Sequence, residues 1–142
     1  MISVTVKRFL SQPYWIDKRI DRKQEEIDRL RAKLTKATAH ISDMPRGGSG
    51  GDWTDTDVKV LKMEQQIHEE IIELCRIKRE VFEVIDAVED ERYRTLLELR
   101  YRNYMSFEEI AVEMHFSYDW IRHMHKEALA AVQLNTQKHT RV

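Results

Sequence analysis

Residues 96–132 read LLELRYRNYMSFEEIAVEMHFSYDWIRHMHKEALAAV, and the polar residues that punctuate this stretch decide the fold. Ser106-Phe107-Glu108-Glu109 has a serine three residues before a glutamate, a capping box that starts a helix. Phe107, Ile110, Ala111 and Met114 then fall on one helical face. A short turn at His115-Phe116 leads to Ser117, a second good N-cap. From there a helix of about Tyr118 to Val132 buries Ile121, Met124, Ala128, Leu129 and Val132. Upstream, a helix of about Arg92 to Asn103 buries Tyr93, Leu96, Leu97 and Tyr101, and Glu89-Asp90-Glu91 marks the junction before it. Helix, tight turn, helix is the reading.

Further toward the N-terminus the apolar positions step by four and three. Ile16, Ile20, Lys23, Ile27, Leu30, Leu34, Ala37 and Ile41 form a heptad seam with one polar entry, Lys23. Ser11, with Pro13 just inside it, is a start signal. A second seam runs Val60, Met63, Ile67, Glu70, Leu74, Ile77, Val81, Val84, Val88, again with one polar entry. Leu61, Ile71, Ile72, Phe82 and Ile85 widen its stripe, which implies more than one neighbour. Between the seams, Pro45 ends the first helix and the glycines at 47, 48, 50 and 51 permit a reversal, with Thr54 or Asp55 capping the next helix. The expected fold is all-α. An antiparallel, coiled-coil-like helical hairpin occupies 1–91, with its Gly-rich loop at 45–52, and a helix-turn-helix module occupies 92–142.

Charge supports that division. Residues 7–36 carry ten Lys/Arg and five Asp/Glu, residues 58–91 carry five and ten, and residues 92–142 carry eight and six. A basic helix would face an acidic one, although the whole chain nets only −1. A two-helix hairpin has a thin core, so a homodimer is expected. The apolar runs fall short of the roughly 18 residues of a membrane span, and Cys75 is alone, which points to a reducing cytoplasm.

Residues 96–132 resemble the helix-turn-helix of sigma-70 region 4 and its phage relatives. The resemblance rests on the lead-in Leu96 to Tyr101, the first motif helix from Ser106 to Ala111, Ser117 opening the second, and Ile121 to Met124 with Ala128-Leu129. The whole chain is similar to short regulators of Gram-positive phages and integrated elements, in the neighbourhood of ArpU-like and RinA-like late-gene activators, where a hairpin with a Met-Pro-Arg-Gly-Gly-type loop precedes a sigma-like tail. That resemblance implies a transcriptional regulator with double-stranded DNA as partner. Its recognition helix, about 117–132, would lie in the major groove.

Carried over by position, Tyr118, Asp119, Arg122 and His123 fall where relatives meet bases or phosphates. Arg122 suits a bidentate pair with guanine and Asp119 a cytosine amino group. Lys126 suits a phosphate, and Ser106 and Ser117 would bring helix N-terminal amides near the backbone. Two positions depart from the pattern. The turn must use His115 or Phe116 where relatives place Gly or Asn, and Trp120 replaces a charged or small residue. An exposed Trp120 would wedge against DNA or bind a protein.

Blander readings stand beside these. Arg122 and Lys126, four apart, also describe an ordinary solvated face, and Asp119 can pair along the helix with Arg122 or His123. His123 and His125 point to different faces without a Cys pair, so neither a metal nor any other cofactor is expected. Cys75 reads as a small core residue, and the glycines lack the Lys-Ser/Thr of a phosphate loop. No catalytic constellation stands out, so the chain is expected not to be an enzyme. Two rival functions remain. One is a small terminase-like packaging subunit. The other is a module that binds RNA polymerase or a sigma-interacting partner without touching DNA.

Overall fold

The computed structural model describes residues 2–42 and 55–134, and every regular element among them is helical. In chain order these are α1 (Ile2–Leu10), α2 (Gln12–Ser42), α3 (Asp55–Asp86), α4 (Glu91–Leu97), a π-helical turn (Glu98–Arg102), α5 (Phe107–Met114) and α6 (Tyr118–Ala131). The loop expected at 45–52 and the cap expected from Thr54 lie outside the described residues, as do the side chains of Ala37 and Ile41.

Two compact units arise, and they do not divide at 91/92. Residues 18–74 form one unit, and residues 2–17 together with 75–134 form the other. Each has its own core.

In the unit of residues 18–74, Ile27 and Leu30 of α2 are buried with Val60 and Ile67 of α3, and Leu34 and Ile71 pack against them. Lys23, the polar entry of the first seam, pairs with Glu70, the polar entry of the second. Arg31 lies 2.7 Å from Glu64. Its hydrogen bond holds the Glu64 carboxyl below and the Arg31 guanidinium above their ordinary values. As numbering rises along α2, the partner's number falls along α3. The heptad phase of α3 is regular, since Val60, Ile67, Leu74 and Val81 are all buried. Other members of the stripe depart from expectation. Met63 is 45 % exposed and Ile72 68 %, and Cys75 is exposed rather than a core residue. The reason is angular: Leu74 holds the seam position, and the next residue is turned about 100° away from it.

The other unit begins with a helix the sequence reading did not assign. In α1, Val6, Phe9 and Leu10 are buried in the same core as Leu96, Leu97, Ile110, Ile121 and Met124. Its run of Ile2, Val4, Thr5 and Val6 has weak helix propensity, which tertiary burial overrides. Ser11 is therefore not an N-cap acceptor. Its hydroxyl donates back to the Lys7 carbonyl at 2.6 Å, and Gln12 Nε2 donates to the Phe9 carbonyl at 2.9 Å, which closes α1. Pro13, which lacks an N–H, sits in the first turn of α2, where no donor is needed.

Asp90 caps α4, with Oδ1 accepting from the amides of Arg92 at 2.9 Å and Tyr93 at 3.2 Å. The helix expected to run on to Asn103 widens instead into the π turn, where the Asn103 amide donates to the Glu98 carbonyl at 3.0 Å. That extra residue per turn leaves Tyr101 buried and precedes Tyr104, whose φ of 59° is left-handed.

Candidate nucleic-acid interface

The site expected on α6 begins with the way its two helices meet. Ser106 caps α5, accepting from the Glu109 amide at 3.2 Å while its hydroxyl donates to the Glu109 carboxylate at 3.0 Å. The capping box is thus closed through the serine hydroxyl. The C-terminal end of α5 is closed by His115 in the left-handed conformation, φ 60° and ψ 40°. The Phe116 amide donates to the Ala111 carbonyl at 3.0 Å and the His115 amide to the Val112 carbonyl at 3.3 Å, so these two carbonyls of the last turn of α5 are satisfied. Histidine takes the place that glycine would fill more cheaply.

Ser117 then caps α6, accepting from the Trp120 amide at 3.1 Å. The inner face of α6 buries Ile121, Met124, His125, Ala128 and Leu129. Ile110 and Ala111 of α5, both buried, share that core, and Val132 just past α6 is buried too. The outer face carries every remaining residue of the expected site: Tyr118, Asp119, Trp120, Arg122, His123 and Lys126 are all exposed.

Two groupings form on that face. The Arg122 guanidinium lies over the Tyr118 ring, 5.7 Å from its centroid. Trp120, 46 % exposed, has the Phe116 ring at 6.4 Å and the His123 ring at 5.9 Å. His123 Nε2 is 3.2 Å from Glu127 Oε1, and the other oxygen of Glu127 accepts from the Tyr93 hydroxyl at 2.8 Å. Glu127 thus anchors α6 to α4 and holds His123. Ser106 stands at the start of α5, a different helix end from the α6 grouping.

Sequence reasoning passed over Val112, read Phe116 only as a turn residue and read His125 only as half of a histidine pair. Val112, 76 % exposed, and Phe116, 38 % exposed, add apolar surface beside the turn. His125 is the buried polar residue of the core, and its Nε2 shares a 2.7 Å hydrogen bond with the Tyr101 hydroxyl. Burial first, and then the charges of Arg100 and Lys7, push the His125 pKa down to about 4. Burial likewise raises the Tyr101 hydroxyl to about 12. With His125 neutral, the pair is a structural hydrogen bond. The spacing Ile121, His125, Ala128 was the available signal, because it puts His125 on the inner face.

Among the described residues no group of three or more His, Cys, Asp or Glu is arranged to hold a metal, and no helix is long and apolar enough to cross a membrane. A family model described as "Protein of unknown function (DUF1492)" matches residues 33–133, which run from within α2 past the end of α6. No curated protein and no solved structure matches the chain.

Proposed function

The chain belongs to the DUF1492 family, and from that premise we propose that it is a sequence-specific DNA-binding regulator of transcription that reads DNA with α6. The observation that carries the reading is the division of α6 into two faces. Its inner face is buried against α4 and α5, while Tyr118, Asp119, Trp120, Arg122, His123 and Lys126 stand outward from a serine-capped N-terminus. A helix presented in this way suits the major groove, with its first turns at the base edges. Arg122 supplies a bidentate donor for guanine and Asp119 an acceptor for a cytosine amino group. Tyr118 supports Arg122 from below, and Lys126, one turn on, meets a phosphate. The tight α5–α6 turn is the helix-turn-helix of this reading, and it resembles sigma-70 region 4 in its caps and core.

In the same reading α2 and α3 form an antiparallel hairpin whose role is pairing with a second copy or holding a partner. One recognition helix with two cations gives a small interface, so two copies on half-sites about one helical turn apart would supply the missing affinity. The regulator belongs to a phage or mobile element and works without catalysis.

Selection of bound fragments from genomic DNA at moderate salt tests this, with an Arg122→Ala protein in parallel. The expected outcome is one short enriched site, with Arg122→Ala losing about 1–3 kcal/mol and relaxing its preference at one base pair. An Arg122→Ala protein with unchanged affinity and site preference overturns the placement of α6 in the groove. A second reading draws on Trp120, Phe116 and Val112, whose exposed apolar surface suits a protein such as RNA polymerase. Capture of purified polymerase that fails with Trp120→Ala, with no DNA retained, would favour it.

A further inference from the structure

Away from the outer face of α6, the α1–α2 junction and the π turn border a cavity of about 240 Å³. Its lining includes Lys7, Tyr14, Trp15, Arg100, Tyr101 and Tyr104. Three of these are aromatic and outward: Tyr14 is 41 % exposed, Trp15 64 % and Tyr104 36 %. Their rings are ordered as an open box. Tyr14 stands edge-on to Trp15, with centroids 5.2 Å apart at 87°, and edge-on to Tyr104, at 5.5 Å and 82°.

Two cations border the same space. Lys7 and Arg100 take part in no ion pair among the described residues. Both fields reach His125 behind the Tyr101 wall and lower its proton affinity. The nearby acid is committed elsewhere: Asp17 receives the Tyr104 hydroxyl and lies 2.6 Å from Lys78. Arg100 is fixed in place, since Nη1 donates to the Met105 carbonyl at 2.9 Å and the guanidinium lies 4.3 Å from the Phe107 ring centroid. Tyr104 reaches its position through a left-handed backbone that a tyrosine adopts only when its surroundings hold it there.

Each feature restricts the guest. Two unpaired cations repel a cationic guest and draw an anion. Exposed aromatic faces favour a planar π-system over an aliphatic one. The volume is below the roughly 300–1,000 Å³ of sites for drug-sized ligands, so it suits one small ligand held in part, with the remainder in solvent. We propose that this cavity binds a nucleotide, with the base against Trp15 and Tyr14 and the phosphate between Lys7 and Arg100. The nucleotide is either free or an unpaired member of a strand, since both present the same base and phosphate. The site is independent of the reading of α6.

Nitrogen-edited NMR of the ¹⁵N-labelled full chain tests it. The probes are the four nucleoside monophosphates, the matching nucleosides, inorganic phosphate and a short single-stranded oligonucleotide. At least one monophosphate should move the Trp15 indole signal and the amides of Arg100 and Tyr104. Its nucleoside and inorganic phosphate should each bind at least about tenfold more weakly. Lys7→Gln should weaken the monophosphate by about fivefold and leave the nucleoside unchanged, whereas Trp15→Leu should weaken both. Both side chains are exposed, and an unchanged amide spectrum elsewhere verifies the fold of each variant. An oligonucleotide that binds more tightly than the monophosphate identifies a strand as the source, and the reverse identifies the free nucleotide. Signals that stay fixed with every probe at millimolar concentration overturn the proposal. So does inorganic phosphate that binds as tightly as the monophosphates.

Discussion

His125 illustrates how one residue links packing to pH. It is buried on the inner face of α6, bonded to Tyr101, with Phe107 edge-on at 4.9 Å. Its pKa falls to about 4 in the folded chain, from an ordinary value of 6.5. Between those values the unfolded chain binds a proton that the folded chain refuses. The His125 contribution is therefore complete above pH 6.5 and is lost as pH falls toward 4. A displacement of that size corresponds to about 3 kcal/mol. Urea midpoints measured across this range should fall in the wild type more steeply than in a His125→Phe variant. An identical slope in the two proteins would assign the acid sensitivity to carboxylates instead. In the sequence this histidine reads as half of the His123/His125 pair. Only the helical phase separates an outward residue from an inward one.

Elements were legible wherever periodicity and caps agreed. The starts of α5 and α6 follow from Ser106 and Ser117, and the left-handed turn falls on His115, one of the two candidates. Elements were illegible where tertiary burial overrides local preference, as in α1, or where backbone geometry changes without a compositional sign, as in the π turn. Ser11 with Pro13 marked the start of α2 at Gln12, but the Ser11 hydroxyl serves the end of α1 instead of capping α2. For α2 and α3 the seam holds in part, with Ile27, Leu30, Val60 and Ile67 buried and Met63 exposed, and their shared core is small. The exposed ion pairs add little, since such pairs contribute roughly 0–1 kcal/mol. Ile27→Ala should therefore cost about 2–5 kcal/mol within this unit. Hydrogen exchange should show protection lost across residues 18–42 and 55–74 while the amides of Leu96, Leu97 and Ile121 keep theirs. Equal loss in both units would mean that they unfold as one.

At the scale of the molecule, charge is distributed rather than abundant. Lys23 and Arg31 of α2 are matched by Glu70 and Glu64 of α3, and Lys78 of α3 by Asp17 of α2. The net of −1 hides blocks of opposite sign, and α6 itself carries Arg122 and Lys126 as its only lysine and arginine. If α6 reads DNA with Arg122 and Lys126, each chain displaces about two counterions. The logarithm of the binding constant should then fall with the logarithm of salt with a slope of about −2 per chain. Fluorescence anisotropy on the selected site, between low and moderate salt, measures it. A slope near zero would favour the protein-binding reading of Trp120. At this scale the sequence revealed the charge blocks and the all-helical class. It did not reveal that residues 2–17 and 75–88 belong with the C-terminal helices, because that grouping depends on long-range packing.

The even burial of Val60, Ile67, Leu74 and Val81 also sets a unit of length. Adding or removing one residue inside α3 turns everything beyond it by about 100°, whereas a change of seven turns it by only about 20°. Natural length variants of α3 should therefore differ by whole heptads, and any other change would act as a geometric frameshift without altering a codon downstream.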